Sequence, residues 1–550
     1  MHTYPQNLSM SLATSRIVIG MTLSEEGMAV TKQSFIRGTM ILLAAGILNR
    51  ILGFIPRMTL PRVIGAEGIG IYQMGWPFLS VILTIITGGI PVAISKLIAE
   101  AEAEKNETRI RSILRISLAI TLSLSFIFTA ICLVGASWIT SHLLTDSRVY
   151  YTFLCMSPMI PIIGVSAVYR GYFQGRQNMI PTATSQIMET LIRIVMVLVC
   201  SYMMIPYGIE YAAAGAMIGV LAGEIGGLAV LAIHFRWDKK ASSKTPLAHI
   251  GTHKTTGRVS NLRRILRISI PITGSKLIGA GSYLLESILI AQSLAIAGIT
   301  TSLATAQYGA LQGMIIPIIL LPSALTMSLS VSLIPSLSEA AARKDLKTIH
   351  MRLHQSLKLA LVTGAPFSVL MFVLAEPICK YLYNQPEVSV MLKMMAPIAI
   401  FIYFQAPLQS ALQALNKPGA ALINTLIGST VKLFLIYWLA SKPEMGIQGA
   451  VFAINVNIVL VTLLHWNSVV RLLKFRMEGS SFGKIGASML LSGAVCYIIM
   501  YTPWVSATWI RFLSSLLLGL FSYIVFITVF RLISLKDISR LVTMGKKIIR

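Results

Sequence analysis

Runs of about 20 apolar residues recur along the whole chain, and a helix of that length spans the roughly 30 Å hydrocarbon core of a bilayer. Inside lipid the backbone polar groups must be satisfied within the segment, so such runs fold as transmembrane helices. About fourteen are present: six between residues 35 and 235, six between 268 and 471, and a last pair between 483 and 533. Only 12% of the 550 residues are charged, against roughly 25% in a soluble globular protein. The expected fold is therefore an all-α polytopic membrane protein.

The net charge of +26 would suit nucleic acid, but no soluble domain carries it. The basic residues fall instead in short segments between the spans. Counted by alternate segments, about 34 Lys and Arg lie on one side and about 7 on the other. That imbalance puts both termini and the basic loop 237–267 in the cytoplasm. No nucleic-acid partner is expected. The five cysteines are scattered singly in or near apolar spans, without metal spacing.

The first 29 or so residues read as a separate extension without an apolar signal core, either an over-long start or a disordered tail. Beyond it the chain looks internally repeated. Gln174-Gly-Arg-Gln-Asn178 is echoed by Gln413-Ala-Leu-Asn416, and Tyr207-Gly208-Ile209 by Met445-Gly446-Ile447, at offsets of about 239 and 238. An even number of spans per repeat gives two lobes in the same orientation with a cavity between them. The expected organisation is an N-lobe over 30–236, the basic loop 237–267, a C-lobe over 268–476, and a helix pair with a basic tail over 477–550.

Arg50 stands inside the apolar run Gly38–Ile55. A guanidinium at bilayer depth costs at least about 2.5–3.5 kcal/mol, so it needs a partner or a water-filled cavity. Lys276 and Lys432 lie in later spans in the same way, and a membrane protein that keeps cations inside itself is suited to an anionic cargo. The remaining intramembrane ionisable residues are Glu189, Arg193, Glu224 and Glu286, with Arg57 and Arg62 at the end of span one. Glu189 and Arg193 are four apart on one helical face and pair structurally. Glu224 is grouped with them as secondary. Arg50, Lys276 and Glu286 have no local partner. Lys432 either snorkels from a shorter span or faces the interior. The candidate cavity set is Arg50, Lys276, Asn49, Arg57, Glu286 and Lys432. No catalytic or metal-binding constellation and no nucleotide-binding motif is found, so no cofactor is implied. An ion gradient, the membrane potential or the substrate gradient must drive any transport, and the sequence does not name a coupling ion.

Asn49-Arg-Ile-Leu-Gly-Phe54, Pro61-Arg-Val-Ile-Gly-Ala66 and Tyr72-Gln-Met-Gly-Trp-Pro77 resemble the start of the polysaccharide-exporter branch of the multidrug/oligosaccharidyl-lipid/polysaccharide flippase superfamily. Tyr169–Pro181 and Pro206–Gly215 look closer still to the sporulation members of that branch in endospore-forming bacteria. The resemblance runs from about Val30 to the C-terminus. It implies a two-lobed alternating-access transporter, related to MurJ-type lipid II flippases and to O-antigen exporters. In the MurJ type, the arginine of the span-one motif faces the cavity and meets a lipid-linked pyrophosphate, and Arg50 matches it. Ile334-Pro-Ser-Leu-Ser338 resembles that family's motif at the end of span eight. The family's arginine near the start of span eight has no counterpart in the uncharged stretch Gln307–Leu321, which leaves Lys276 as the candidate second cation.

What the resemblance implies is a flippase, not an enzyme. Its cargo would be an undecaprenyl-pyrophosphate-linked cell-wall precursor, lipid II-like, for spore cortex peptidoglycan. Its partners would be that lipid-linked anionic oligosaccharide, membrane lipids and the cortex synthesis machinery, and its location the outer forespore membrane. A cation-coupled multidrug exporter and a non-transport membrane partner of cortex synthases remain as alternatives.

Overall fold

A computed structural model describes residues 35–244, 258–475 and 479–532. The expected N-terminal extension, the middle of the basic loop and the basic tail lie outside the described residues. The first half contains α1 (Phe35–Met74), α2 (Trp76–Thr87), α3 (Ile90–Ala103), α4 (Glu107–Trp138), α5 (Val149–Met156), α6 (Met159–Gly175), α7 (Ile180–Met204) and α8 (Ile209–Lys244). Then come α9 (Arg258–Ile296), α10 (Thr301–Gly309), α11 (Ile316–Leu320), α12 (Ser323–Ala342), α13 (Leu346–Val373), α14 (Ala375–Tyr383), α15 (Ser389–Met395), α16 (Ala399–Ala414), α17 (Pro418–Ala440) and α18 (Gly446–Leu473). The last pair is α19 (Gly479–Tyr501) and α20 (Thr508–Val529). A π-helical turn, Ala310–Ile315, joins α10 to α11.

Thirteen helical stretches among the described residues are long and apolar enough to cross a membrane. The first, Ala44–Ala103, runs for 60 residues, about 90 Å if straight and three times a bilayer core. It is not straight. Gly65 has φ 68° and ψ −179°, outside the helical region, where a side chain would be strained. The break divides this stretch into two crossings and gives the fourteen expected from sequence.

The turns of the two halves repeat. Lys105 and Lys344, Thr145 and Asn384, and Gln177 and Asn416 all have left-handed backbones, with φ between 52° and 59°. Each pair is 239 residues apart in the numbering. Asn106 caps α4 by accepting from the Arg109 N–H, and Asp345 caps α13 by accepting from the Thr348 N–H. These are equivalent places, and at both a short polar acceptor satisfies an amide that the helix cannot. Helices α1 and α5 to α8 pack on one another, as do α12, α13, α16, α17 and α18, while α19 and α20 pair with each other and rest on α13.

The halves meet tightly at the face away from the basic turns. A Cβ on Gly70 would lie 2.0 Å from the Thr305 carbonyl oxygen, and one on Gly309 would lie 2.2 Å from that of Ala66. Only glycine lets α1 and α10 approach so closely. Polar contacts bind the same seam. Arg148 pairs with Glu67 at 2.5 Å and with Asp146 at 2.8 Å, and Thr305 donates to Asp146 at 2.7 Å. Ser302 donates to Glu67. Arg62 donates from Nε to the Leu382 carbonyl at 2.8 Å and from Nη2 to that of Tyr381. Burial works to raise the Asp146 carboxyl, but the hydrogen bonds from Arg148 and Thr305 outweigh it and hold the group below its usual value of 3.8. It therefore stays ionised at neutral pH. Gly309→Val is expected to pry this seam open, so that a cysteine placed at the buried Ala304 reacts faster with maleimide than in the Gly309 background. An unchanged rate would mean that the two helices accommodate the branch without separating.

Candidate functional site

One face of α1 carries Gly46, Asn49, Arg50, Gly53, Phe54 and Arg57. Their spacing of three and four puts them in a single stripe along the helix. Gly46 and Gly53 face open space, with no atom within 4 Å of where a Cβ would stand. A matching stripe on α7 holds Gln186, Glu189, Thr190 and Arg193. Between the stripes lies a cavity of about 1000 Å³, at the upper end of small-ligand pockets. Tyr72, Gln73 and Trp76 add an aromatic and amide wall, Tyr283 of α9 faces it, and Gly313 and Pro317 flank it around the π turn. Along α1 the lining runs from Gly46 to Leu60 before the Gly65 break and resumes at Ile69, Tyr72 and Gln73 beside the glycine seam.

Four guanidiniums line this space: Arg50, Arg57, Arg170 and Arg193. They fall into two kinds. Arg170 donates to Glu189 at 2.7 Å; Arg193 donates to Glu189 at 2.5 Å and to Glu224 at 2.8 Å. Those two arginines are matched by two carboxylates. Arg50 and Arg57 are exposed and make no ion pair or hydrogen bond among the described residues. Their ten donors are free for whatever enters. Asn49 adds a buried carbonyl oxygen without a partner. The cavity thus presents two uncompensated fork-shaped cations on one helix, a geometry matched to bidentate contact with phosphate oxygens.

The structure sorts the residues expected from sequence. Asn49, Arg50 and Arg57 line the cavity together. Lys276, Glu286 and Lys432 do not. Lys276 donates to the Gly88 carbonyl at 2.7 Å, fastening α9 to the end of α2. Lys432 and Glu286 meet at 2.5 Å, each side chain only 9% exposed, and Gln312 donates to Glu286 at 3.0 Å. Glu286 and Lys432 neutralise each other, whereas Lys276 is exposed and meets only a backbone carbonyl; none of the three is on the lining of this cavity, which corrects their assignment to it. Conversely, Glu189 and Arg193, read as a structural pair, are on the lining, and Glu224 stands directly behind them. Lys432 is 239 residues after Arg193, so each half holds a cation engaged with glutamate at the equivalent place, half-buried in the first and buried in the second.

Sequence reasoning missed Arg170. It sits near the end of a predicted span, where a basic residue passes as interfacial. Its signal was the charge count: Glu189 and Glu224 together leave one carboxylate over when Arg193 is their single cation. The aromatic wall carried no distinguishing signal, because Tyr and Trp are common at span ends.

A membrane-embedded, arginine-lined cavity flanked by two internally repeated helix sets defines a transporter of the flippase type. The chain belongs to the polysaccharide-exporter branch of the MOP flippase superfamily: residues 35–341 match the polysaccharide biosynthesis protein family, and 280–438 match the MatE family. Among its relatives is stage V sporulation protein B of Bacillus subtilis strain 168, 41% identical over 95% of this chain and 100% of that one. Sporulation protein YkvU of the same organism is 28% identical over 80% of this chain and 96% of its own length. A solved structure of lipid II flippase MurJ in an inward closed conformation shares the fold, with a TM-score of 0.67 over 89% of this chain and 98% of that chain at 18% identity.

Proposed function

We propose that this protein flips a polyprenyl-pyrophosphate-linked cell-wall saccharide, lipid II-like, across the membrane for spore cortex synthesis. The observation that carries the reading is the uncompensated pair Arg50 and Arg57 on one cavity stripe. A pyrophosphate is a concentrated anion, and its desolvation is what keeps the headgroup from crossing lipid unaided. A cavity with free guanidiniums replaces that lost hydration, while the prenyl chain stays in the bilayer. Tyr72, Trp76, Gln73 and Gln186 offer stacking faces and amides suited to sugar rings and hydroxyls. The fold shared with a solved lipid II flippase, and the relative named for sporulation stage V, support the substrate class and the setting.

In this reading the basic face is cytoplasmic, with both termini on it, and the protein resides in the outer forespore membrane. The glycine seam closes the far side, so the lipid headgroup loads from the cytoplasm. The seam then parts as the two lobes, 30–236 and 268–476, rock against each other. The reaction makes and breaks no covalent bond.

The multidrug-exporter alternative needs carboxylates free to hold a cation. Glu189 on the lining and Glu224 behind it are already bound by arginine, which disfavours it. Expression in an endospore former that lacks its own cortex flippase is expected to restore cortex without conferring drug resistance. Broad drug resistance without cortex would reverse the assignment.

A further inference from the structure

Glu189 on α7 and Glu224 on α8 both accept from a single guanidinium nitrogen, Arg193 Nη2, at 2.5 and 2.8 Å. Their side chains are 12% and 11% exposed. Two carboxylates this close repel one another, and only Arg193, with Arg170 on Glu189, offsets the repulsion. Both arginines also line the cavity, with the side chains of Arg170 and Arg193 24% and 29% exposed. They are therefore open to competition between the fixed carboxylates and an entering anion.

Tyr72 interacts electrostatically with Arg193; the remaining charged and titratable neighbours lie across the cavity or farther along the helices. From α1, Arg50, Arg57 and Tyr72 face the same cavity. At the C-terminal end of α6, Tyr172 and the capping Arg176 are engaged with Asp238, about four helical turns along α8 from Glu224. On α5, Tyr151 packs on Tyr211 with ring centroids 4.7 Å apart, roughly three helical turns from Glu224. Cys155 and Cys200 lie toward that same end. His234 is bonded to the Val230 carbonyl at 2.9 Å.

We infer that binding of the pyrophosphate draws a proton onto the Glu189–Glu224 pair, so that substrate entry is coupled to proton uptake. The inference rests on the substrate reading above. As the pyrophosphate accepts N–H groups from Arg193 and Arg170, the carboxylates lose the cations that held them both ionised. A proton from cavity water then binds one carboxylate oxygen, and that O–H donates to the other glutamate. Release of the substrate returns both arginines to the glutamates and the proton to water. Linkage fixes the sign: a complex that holds more protons than the free protein binds less tightly as pH rises, by up to about tenfold per unit for one proton.

The test is calorimetric titration of the full-length protein in detergent. The probe is a short-chain prenyl-pyrophosphoryl-N-acetylglucosamine, whose pyrophosphate diester has no proton to exchange near neutral pH. Runs in two buffers of different ionisation enthalpy give the protons taken up per molecule bound. Wild type is expected to take up a substantial fraction of one proton and to lose affinity from pH 6.5 to 8, values of about that range bracketing neutrality. Glu224→Gln is expected to take up fewer and to bind about fivefold or more tightly at the upper pH, because one competitor for Arg193 is gone. Binding by wild type with an enthalpy independent of buffer and an affinity independent of pH would overturn the coupling and leave the substrate reading standing. No binding by wild type at any pH would overturn both. Should the Glu224 variant not fold, the wild-type buffer comparison decides alone.

Discussion

Arg50→Ala is expected to lower the rate of lipid-linked pyrophosphate translocation by about 10- to 150-fold, the factor that corresponds to about 1.5–3 kcal/mol for a lost charged hydrogen-bonding contact. Arg57→Ala should fall in the same range, since the two stand on one stripe of α1 and are equally unengaged. Neither change should harm folding: no ion pair is broken, and no buried carboxylate is left without a partner. Protein abundance and thermal unfolding should match wild type. The rate is to be read in proteoliposomes with matched protein incorporation. Wild-type flipping by Arg50→Ala would show that this guanidinium does not hold the cargo. Arg50→Lys should recover only part of the rate, because an ammonium keeps the charge but not the bidentate fork.

Glu286→Gln and Lys432→Met are expected to do the reverse, damaging stability before transport. Their side chains meet at 2.5 Å and are 9% exposed each. Removing one partner of a buried pair strands the other charge and costs about 3–5 kcal/mol, whereas replacing both by neutral groups is close to neutral. Each single variant should therefore unfold at a clearly lower temperature than wild type, and the double variant Glu286→Gln/Lys432→Met should recover most of the loss. Single variants as stable as wild type would mean that the link between α9 and α17 contributes nothing. The contrast with Arg50 separates cations that the protein uses for itself from cations it leaves free.

That distinction was not legible in the sequence. Arg50 and Lys432 look alike there, each a lone cation in an apolar run. What differs is the helix that packs alongside, and Glu286 is 146 residues from Lys432. Periodicity finds partners within one helix, as it did for Glu189 and Arg193, but it says nothing about which helices are neighbours. Glu224 joined that pair for the same reason, from 31 residues away. Features encoded locally were readable. Apolar run length set the number of crossings, with Gly65 supplying a boundary that hydropathy alone blurs. The echo of Gln174–Asn178 in Gln413–Asn416 marked a repeat whose turns recur in backbone geometry at Gln177 and Asn416. The stripe on α1 was half visible: Asn49, Arg50 and Arg57 were selected, but the opposing stripe on α7 was read as structural.

The central claim is that the free arginines of this cavity carry a lipid pyrophosphate across the bilayer. Purified wild-type protein reconstituted in vesicles with headgroup-labelled lipid II tests it most directly, by the rate at which the label passes between leaflets. The expected rate is well above that of protein-free vesicles and is lost in the Arg50→Ala/Arg57→Ala double variant incorporated to the same level. A wild-type rate equal to that of protein-free vesicles, with folded protein shown to be present, would contradict it.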